Sequence, residues 1–173
     1  MGPHIKTERL ELRLPELDDA PDLARLSGDY DVAKNTSRIP SPYPVLAAEM
    51  WILSTRAGYR PGRSIALTAI RNGQVAGGGG IFKRRPDADW EIGYWIAKPF
   101  WGQGLATEMG EALIRFAIDD LGAERIIAGH NADNPASGRV LEKLGFAYDG
   151  REEPSWSMAR LGKAAVRYME RAA

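Results

Sequence analysis

The chain has 173 residues, and 23 lysines and arginines balance 23 aspartates and glutamates to a formal net charge of zero at pH 7. That length suits one domain, residues 1–173, whose core needs no metal or disulfide staple, and the charge balance leaves no long-range pull toward nucleic acid or an anionic membrane. With no cysteine at all, disulfides, cysteine-ligated zinc and an acyl group carried on an enzyme thiol are excluded. The segment MGPHIKTERLEL holds no apolar signal core, and nowhere do about 18 apolar residues run together, so the expected location is the cytoplasm.

Ile5 to Leu14 alternates polar and apolar residues, with Leu10, Leu12 and Leu14 in step, which predicts a strand. Asp18 then opens a helical pattern through Ala20, Leu23, Ala24 and Leu26. Gly28 to Val45, carrying Pro40, Pro42 and Pro44, reads as an irregular loop ahead of a helix with Met50, Trp51 and Leu53. Ser64–Arg71 and Gln74–Phe82 flank Asn72-Gly73, a strong hairpin signal that continues the sheet as antiparallel strands. Trp90 to Ile96 adds another strand. Tyr94 and Trp95 must face opposite layers, and periodicity alone does not say which faces which.

From Gly104 to Asp120 the apolar residues Leu105, Met109, Ala112, Leu113, Phe116 and Ala117 recur at helical spacing, while Glu108, Glu111, Arg115 and Asp119 lie opposite. Gly122 ends that helix, and Arg125 to Ala128 reads as a short buried strand. Asn134-Pro135 pairs a cap residue with the proline favoured in a first helical turn, and Gly145 stops the second helix after Leu144. Glu152 to Gly162 reads as a loop.

Trp101-Gly102-Gln103-Gly104-Leu105-Ala106 places two glycines where a strand hands over to a helix, so amides there can approach an anion that the helix dipole already favours. A dinucleotide fingerprint fails, since Thr107 holds the third glycine position, and the lysine of a nucleoside triphosphate loop is missing after Gly104. Gly77 to Gly80 sits inside a strand with no lysine and serine or threonine after it, which favours a bulge or close backbone packing over a phosphate cradle. The five tryptophans are scattered without an interleaved basic stripe, so they read as packing or pocket walls. Lys83-Arg84-Arg85 reads as a solvated cluster in a turn, with contact to an acidic partner as the minority reading.

Four features in order, Thr7-Glu8-Arg9-Leu10-Glu11-Leu12-Arg13, Glu91-Ile92-Gly93-Tyr94-Trp95-Ile96, the loop from Trp101 to Thr107, and Asn134-Pro135-Ala136-Ser137 through Lys143-Leu144-Gly145-Phe146, resemble the GNAT superfamily of N-acetyltransferases, especially its RimJ/RimL-like branch. The resemblance covers nearly the whole chain. It implies an α+β fold: a mixed, mostly antiparallel sheet with a splayed central parallel strand pair and helices on both faces. The pantetheine arm of acetyl-CoA would enter between strands ending near Ile96 and His130. Backbone groups of Trp95 and Ile96 would pair with that arm, the amides of Gly102, Gln103, Gly104, Leu105, Ala106 and Thr107 would hold the pyrophosphate, and Asn134 would reach the pantetheine or simply cap its helix.

The reaction the resemblance implies is direct acetyl transfer to a primary amine, with no metal and no covalent enzyme intermediate. The Ile96 amide would polarise the thioester carbonyl. Glu91 is the first candidate base, acting through water, against the alternative of an exposed strand carboxylate; His130 is a reserve. Ser137 matches a serine proposed as general acid in that branch, or else it lines the cleft. The tyrosine that many relatives carry just before the glutamate of this helix is Leu141 here, which keeps alive a catalytically inactive acyl-CoA-binding or interaction module. Only a neutral amine attacks, and an α-amino group with a pKa of about 7.8 is about one-seventh neutral at pH 7, against about four in ten thousand for a lysine near 10.4. The arithmetic tilts toward an α-amine such as a peptide N-terminus, with small amines, aminoglycosides and polyamines still open as acceptors, and a homodimer stays open because dimers are common among relatives.

Overall fold

The structure, a computed structural model, describes residues 2–60 and 62–173; Met1 and Pro61, inside the expected 1–173 domain, lie outside the described residues. Among the described residues eight strands form one sheet: β1 (His4–Lys6), β2 (Glu11–Arg13), β3 (Ile65–Arg71), β4 (Gln74–Phe82), β5 (Trp90–Ile96), β6 (Arg125–Asn131), β7 (Ala147–Ser157) and β8 (Gly162–Ala172). Their order across the sheet is β1-β2-β3-β4-β5-β6-β8-β7. Every neighbouring pair is antiparallel except β5 and β6, which run parallel. Among the described residues five α-helices complete the fold: α1 (Ala20–Ser27), α2 (Tyr30–Ala33), α3 (Val45–Gly58), α4 (Leu105–Asp119) and α5 (Pro135–Lys143). This is the mixed α+β architecture that the sequence led us to expect.

Helices cover both faces. On one, α4 lays Leu105, Met109, Ala112, Leu113 and Ala117 against Leu67, Ile81, Ile92 and Ile96, with Leu141 of α5 in the same cluster. On the other, Leu23, Ala24 and Leu26 of α1 and Ala48 and Ile52 of α3 pack with Ile70, Val75 and Ala97. Burying one leucine such as Leu113, which has no exposed surface, contributes about 2 to 3 kcal/mol. Tyr94 packs with the first cluster and Trp95 with the second, which settles the face of each.

Close approach of α4 and β5 to β4 explains the four glycines. A Cβ on Gly79 would stand 2.8 Å from Leu113 Cδ1 and 2.9 Å from Met109 Sδ, and one on Gly77 would collide with the Trp95 carbonyl oxygen. The run is a packing device beside a register shift between Ala69 and Ile70, as the strand context indicated. The Asn72-Gly73 hairpin forms with φ of 50° and 78°, the left-handed pair that a type I′ turn requires.

Four expectations needed correction. Ile5 to Leu14 is a hairpin of two short strands, because the Thr7 amide donates to the Leu10 carbonyl at 2.9 Å and the Leu10 amide donates to Thr7 Oγ1 at 2.9 Å. Inside the supposed loop after Gly28, Asp29 caps α2 by accepting the Asp31 amide at 2.9 Å. The strand read as stopping at Ala128 continues to Asn131, since β6 keeps its register with β8 up to Asn131↔Val166. Finally, Glu152 to Gly162 is mostly the second half of β7, an edge strand whose many exposed residues and Pro154 hide its alternation and suit an unpaired edge.

Candidate active site

The parallel register between β5 and β6 runs Trp90↔Ile126, Glu91↔Ile127, Ile92↔Ala128 and then ends. Beyond it β5 stays with β4 as far as Ile96↔Gly77, while β6 stays with β8. The two strands therefore diverge, and a wedge opens between residues 93–96 and 129–131. The Ala97 amide donates to the Ala76 carbonyl at 2.8 Å, and strand alternation then turns the polar groups of Trp95 toward β4 and those of Tyr94 and Ile96 toward the wedge. The backbone groups of Trp95 are thus turned to β4, and it is Tyr94 that shares the wedge-facing edge with Ile96. Trp95 instead lays its indole over Gly78, with Nε1 2.7 Å from where a Cβ would stand. The Ile96 carbonyl already accepts the Trp101 indole N–H at 2.7 Å, leaving the Ile96 amide as its free wedge-facing group.

Next to the wedge, Gly102 and Gly104 adopt φ of 73° and 77°. Gly104 is the N-cap of the 15-residue α4 and has no side chain to engage the first-turn amides, so those of Leu105, Ala106 and Thr107 stay available to an anion favoured by the helix dipole. The Gln103 side chain is committed elsewhere: Nε2 donates to the Pro99 carbonyl at 3.2 Å and Oε1 accepts from Arg71. Its backbone amide is what remains for a ligand.

Two arginines to which the sequence assigned no role at the site, Arg9 and Arg71, brace this loop. Arg9 donates through Nη1 to the Gln103 carbonyl at 2.8 Å and through Nε to Glu108 at 2.7 Å, while Arg71 stacks 5.7 Å over the Phe100 ring. Glu108 also accepts the Thr7 hydroxyl at 2.5 Å and the Arg9 amide at 2.7 Å. Burial alone would raise the Glu108 carboxyl, but these hydrogen bonds outweigh it and hold the group below its ordinary value of 4.5. A depressed carboxyl contributes stability above its unfolded pKa that is lost as pH falls through the folded one. Glu108→Gln is therefore expected to cost about 1 to 2 kcal/mol at pH 7, with the gap to the parent protein narrowing below about pH 4.5 in denaturant titrations.

On the other side of the wedge, α5 begins at Asn134, whose Oδ1 accepts the Ser137 amide at 3.4 Å. Ser137 Oγ lies 3.3 Å from the Tyr94 hydroxyl, so β5 and α5 meet across the wedge through two hydroxyls. His130 is 5% exposed. Its Nδ1 donates to the Asn131 carbonyl at 2.8 Å, which in the neutral ring leaves Nε2 to accept the Tyr148 hydroxyl at 3.0 Å. Both ring nitrogens are engaged, which is how a packing histidine behaves.

Glu91 lies on the α1 and α3 face and is buried at 9% exposure, not the exposed carboxylate of the alternative reading. Arg84 holds it through Nε at 2.6 Å and Nη2 at 3.0 Å, and Nη2 also donates to the Tyr168 hydroxyl at 2.9 Å. The hydrogen bond with Glu91 raises the guanidinium above its usual value. The basic turn is solvated as expected, with Arg84 and Arg85 exposed, but Arg84 also folds back on Glu91 and Lys83 stands 4.9 Å over the Trp90 ring. The same face is bounded by the segment after α2, tied down where the Lys34 carbonyl accepts Asn131 Nδ2 at 3.0 Å and Arg160 Nε at 2.7 Å. Among the described residues, no group of three or more His, Cys, Asp and Glu side chains is placed to hold a metal ion, and no helix is long and apolar enough to cross a membrane.

A family model for the acetyltransferase (GNAT) domain matches residues 9–147. Uncharacterized N-acetyltransferase p20 of Bacillus licheniformis is 28% identical over 148 residues, 84% of this chain and 83% of that protein. YdaF of Bacillus subtilis is 39% identical over 61 residues, a match spanning 35% of this chain and 33% of that protein. RimL, a ribosomal L7/L12 α-N-protein acetyltransferase solved with coenzyme A, superposes with a TM-score of 0.82 at 19% identity over 98% of each chain. Mycobacterium smegmatis RimJ, solved with a CoA-disulfide, gives 0.82 at 20% identity, covering 95% of this chain and 82% of that one. The divergent parallel pair, the glycine turn before α4 and the family match over residues 9–147 together establish that the chain belongs to the GNAT family of acetyltransferases.

Proposed function

We propose that this chain is a single acetyltransferase domain that moves the acetyl group of acetyl-CoA directly onto a primary amine, with a peptide N-terminus as the favoured acceptor. The observation that carries the reading is the divergence of β5 from β6 after Ile92↔Ala128. It leaves backbone donors along an opening that ends at the left-handed glycines of the phosphate loop. The pantetheine arm lies along Tyr94 and Ile96 with Asn134 beside it, and the amides from Gly102 to Thr107 hold the pyrophosphate. Trp95 contributes its indole as a wall on the acceptor side.

The neutral amine bonds to the thioester carbonyl carbon, and the Ile96 amide stabilises the oxygen on which charge develops. Collapse breaks the C–S bond with its electron pair on sulfur. Glu91 takes the nitrogen's proton through water; a carboxylate offers about four lone-pair sites, and Arg84 occupies two of them. Ser137 assists the departing sulfur. RimL is an α-N-protein acetyltransferase, which agrees with the neutral-amine arithmetic, since the gap between an α-amine and a lysine at pH 7 is worth about 3 to 3.5 kcal/mol.

Calorimetry with acetyl-CoA, followed by thiol release across a panel of amines, tests this. A peptide with a free N-terminus is expected to turn over far faster at pH 7 than the same peptide N-terminally blocked but carrying lysine, with Glu91→Gln and Ser137→Ala each slowing that turnover. Affinity for acetyl-CoA without thiol release from any amine would identify an acyl-CoA-binding module instead. No affinity at millimolar concentration would overturn both.

A further inference from the structure

Ser137 is the one hydroxyl among the residues of α5, Pro135–Lys143, and position 141 of that helix is a core leucine with 1% exposure. A second hydroxyl nevertheless reaches this spot, supplied by β5: Tyr94 sits 43 positions away in the chain with its oxygen 3.3 Å from Ser137 Oγ. Tyr94 also turns its backbone amide to the wedge, so one residue lines the wedge's strand edge and its α5 side. Each hydroxyl has one proton to donate and lone pairs to accept with. Whichever of the two donates to the other, one O–H of the pair remains uncommitted. The separation is long beside the usual O–H···O value of about 2.7 to 2.8 Å, so the pair can tighten when a third atom draws on the spare proton.

We infer that Tyr94 is a positioning residue for the leaving group, its hydroxyl and that of Ser137 forming one unit that delivers a single hydrogen bond to the departing sulfur. The inference rests on the acetyl transfer proposed for the same wedge. Burial pushes the Tyr94 phenol up to about 12, against the opposing pull of its bond with Ser137. A thiol's pKa is about 8.5. The thiolate is too weak a base to remove a proton from the pair, so the unit stabilises the sulfur by donation and keeps both protons. In the collapse step the C–S electron pair goes to sulfur, the nitrogen's proton goes to Glu91 through water, and solvent protonates the thiolate after release.

Tyr94→Phe keeps the ring in its packed place and removes only the oxygen. Kinetics with acetyl-CoA and a free-N-terminus peptide are expected to show kcat lowered about tenfold in Tyr94→Phe and in Ser137→Ala, the low end for losing a hydrogen bond to a charged group. KM for acetyl-CoA should stay within about twofold, and the thermal midpoint of Tyr94→Phe should match the parent, which separates this role from a structural one. The double variant should be no slower than the slower single one, because the two oxygens act as a unit. Parent-like kcat in Tyr94→Phe, or a double loss near the product of the single losses, would overturn the inference while leaving the transfer reading intact. A parent protein that binds acetyl-CoA yet releases no thiol with any amine would overturn both.

Discussion

Gly77→Ala is expected to destabilise the protein by about 3 kcal/mol, the upper part of the range for forcing atoms into a packed interior. In a chain of this size that lowers the thermal midpoint by about 6 to 12 °C. The added methyl collides with the Trp95 carbonyl oxygen and stands 3.2 Å from Ile96 Cα. Both are backbone atoms of β5, which cannot rotate aside as a side chain end can, so the strand itself must shift. Because that strand carries the Tyr94 and Ile96 amides, the surviving folded fraction should also bind acetyl-CoA more weakly. Gly58→Ala, where a Cβ meets nothing within 4 Å at the end of α3, is the control and should be close to neutral. Thermal melts and calorimetry on both variants check this, and a Gly77→Ala protein matching the parent in both would refute the packing argument.

Gly104→Val separates binding from stability. At φ of 77° a β-branched residue is strained by about 1 to 2 kcal/mol, although the new Cβ would meet only Arg9 Nη2, at 3.5 Å. The loop relieves that strain by leaving the left-handed region, which turns the first-turn amides of α4 away from a shared anion. Losing two hydrogen bonds to phosphate, at about 1.5 kcal/mol each, weakens acetyl-CoA binding by about a hundredfold. The melting temperature should fall by only a few degrees. S-acetylpantetheine, which lacks the diphosphate, supplies the discriminating arm: its turnover should be unaffected by the substitution. Equal damage to both donors would mean that the loop shapes the wedge and does not hold phosphate.

Much of the frame was readable from local signals. Asn72-Gly73, Gly104, Gly122 and Gly145 all take positive φ, and each was visible as a turn or helix boundary because the conformational preference belongs to the residue and its immediate neighbours. The helical period of α4 and the Asn134-Pro135 start of α5 were legible for the same reason. The first strand was misread because the Thr7 turn interrupts an alternation that continues on either side of it, and β7 escaped notice because an edge strand with a solvated face has little apolar pattern to display.

What the order of residues determined by itself was the set of elements with strong local preferences, the exclusion of thiol chemistry, and the glycine turn poised at a helix start. Tertiary structure alone decided which groups meet. Arg9 reaches Glu108 across 99 positions, Arg84 joins Glu91 to Tyr168, and alternation against β4 makes Tyr94 rather than Trp95 the wedge-facing neighbour of Ile96. The physical reason is that each of these contacts depends on strand order and register across the sheet. Those are properties of packed surfaces, and even Arg84 and Glu91, seven positions apart, are brought together only by the turn and strand between them, while Glu108 and Tyr168 lie far outside any short window.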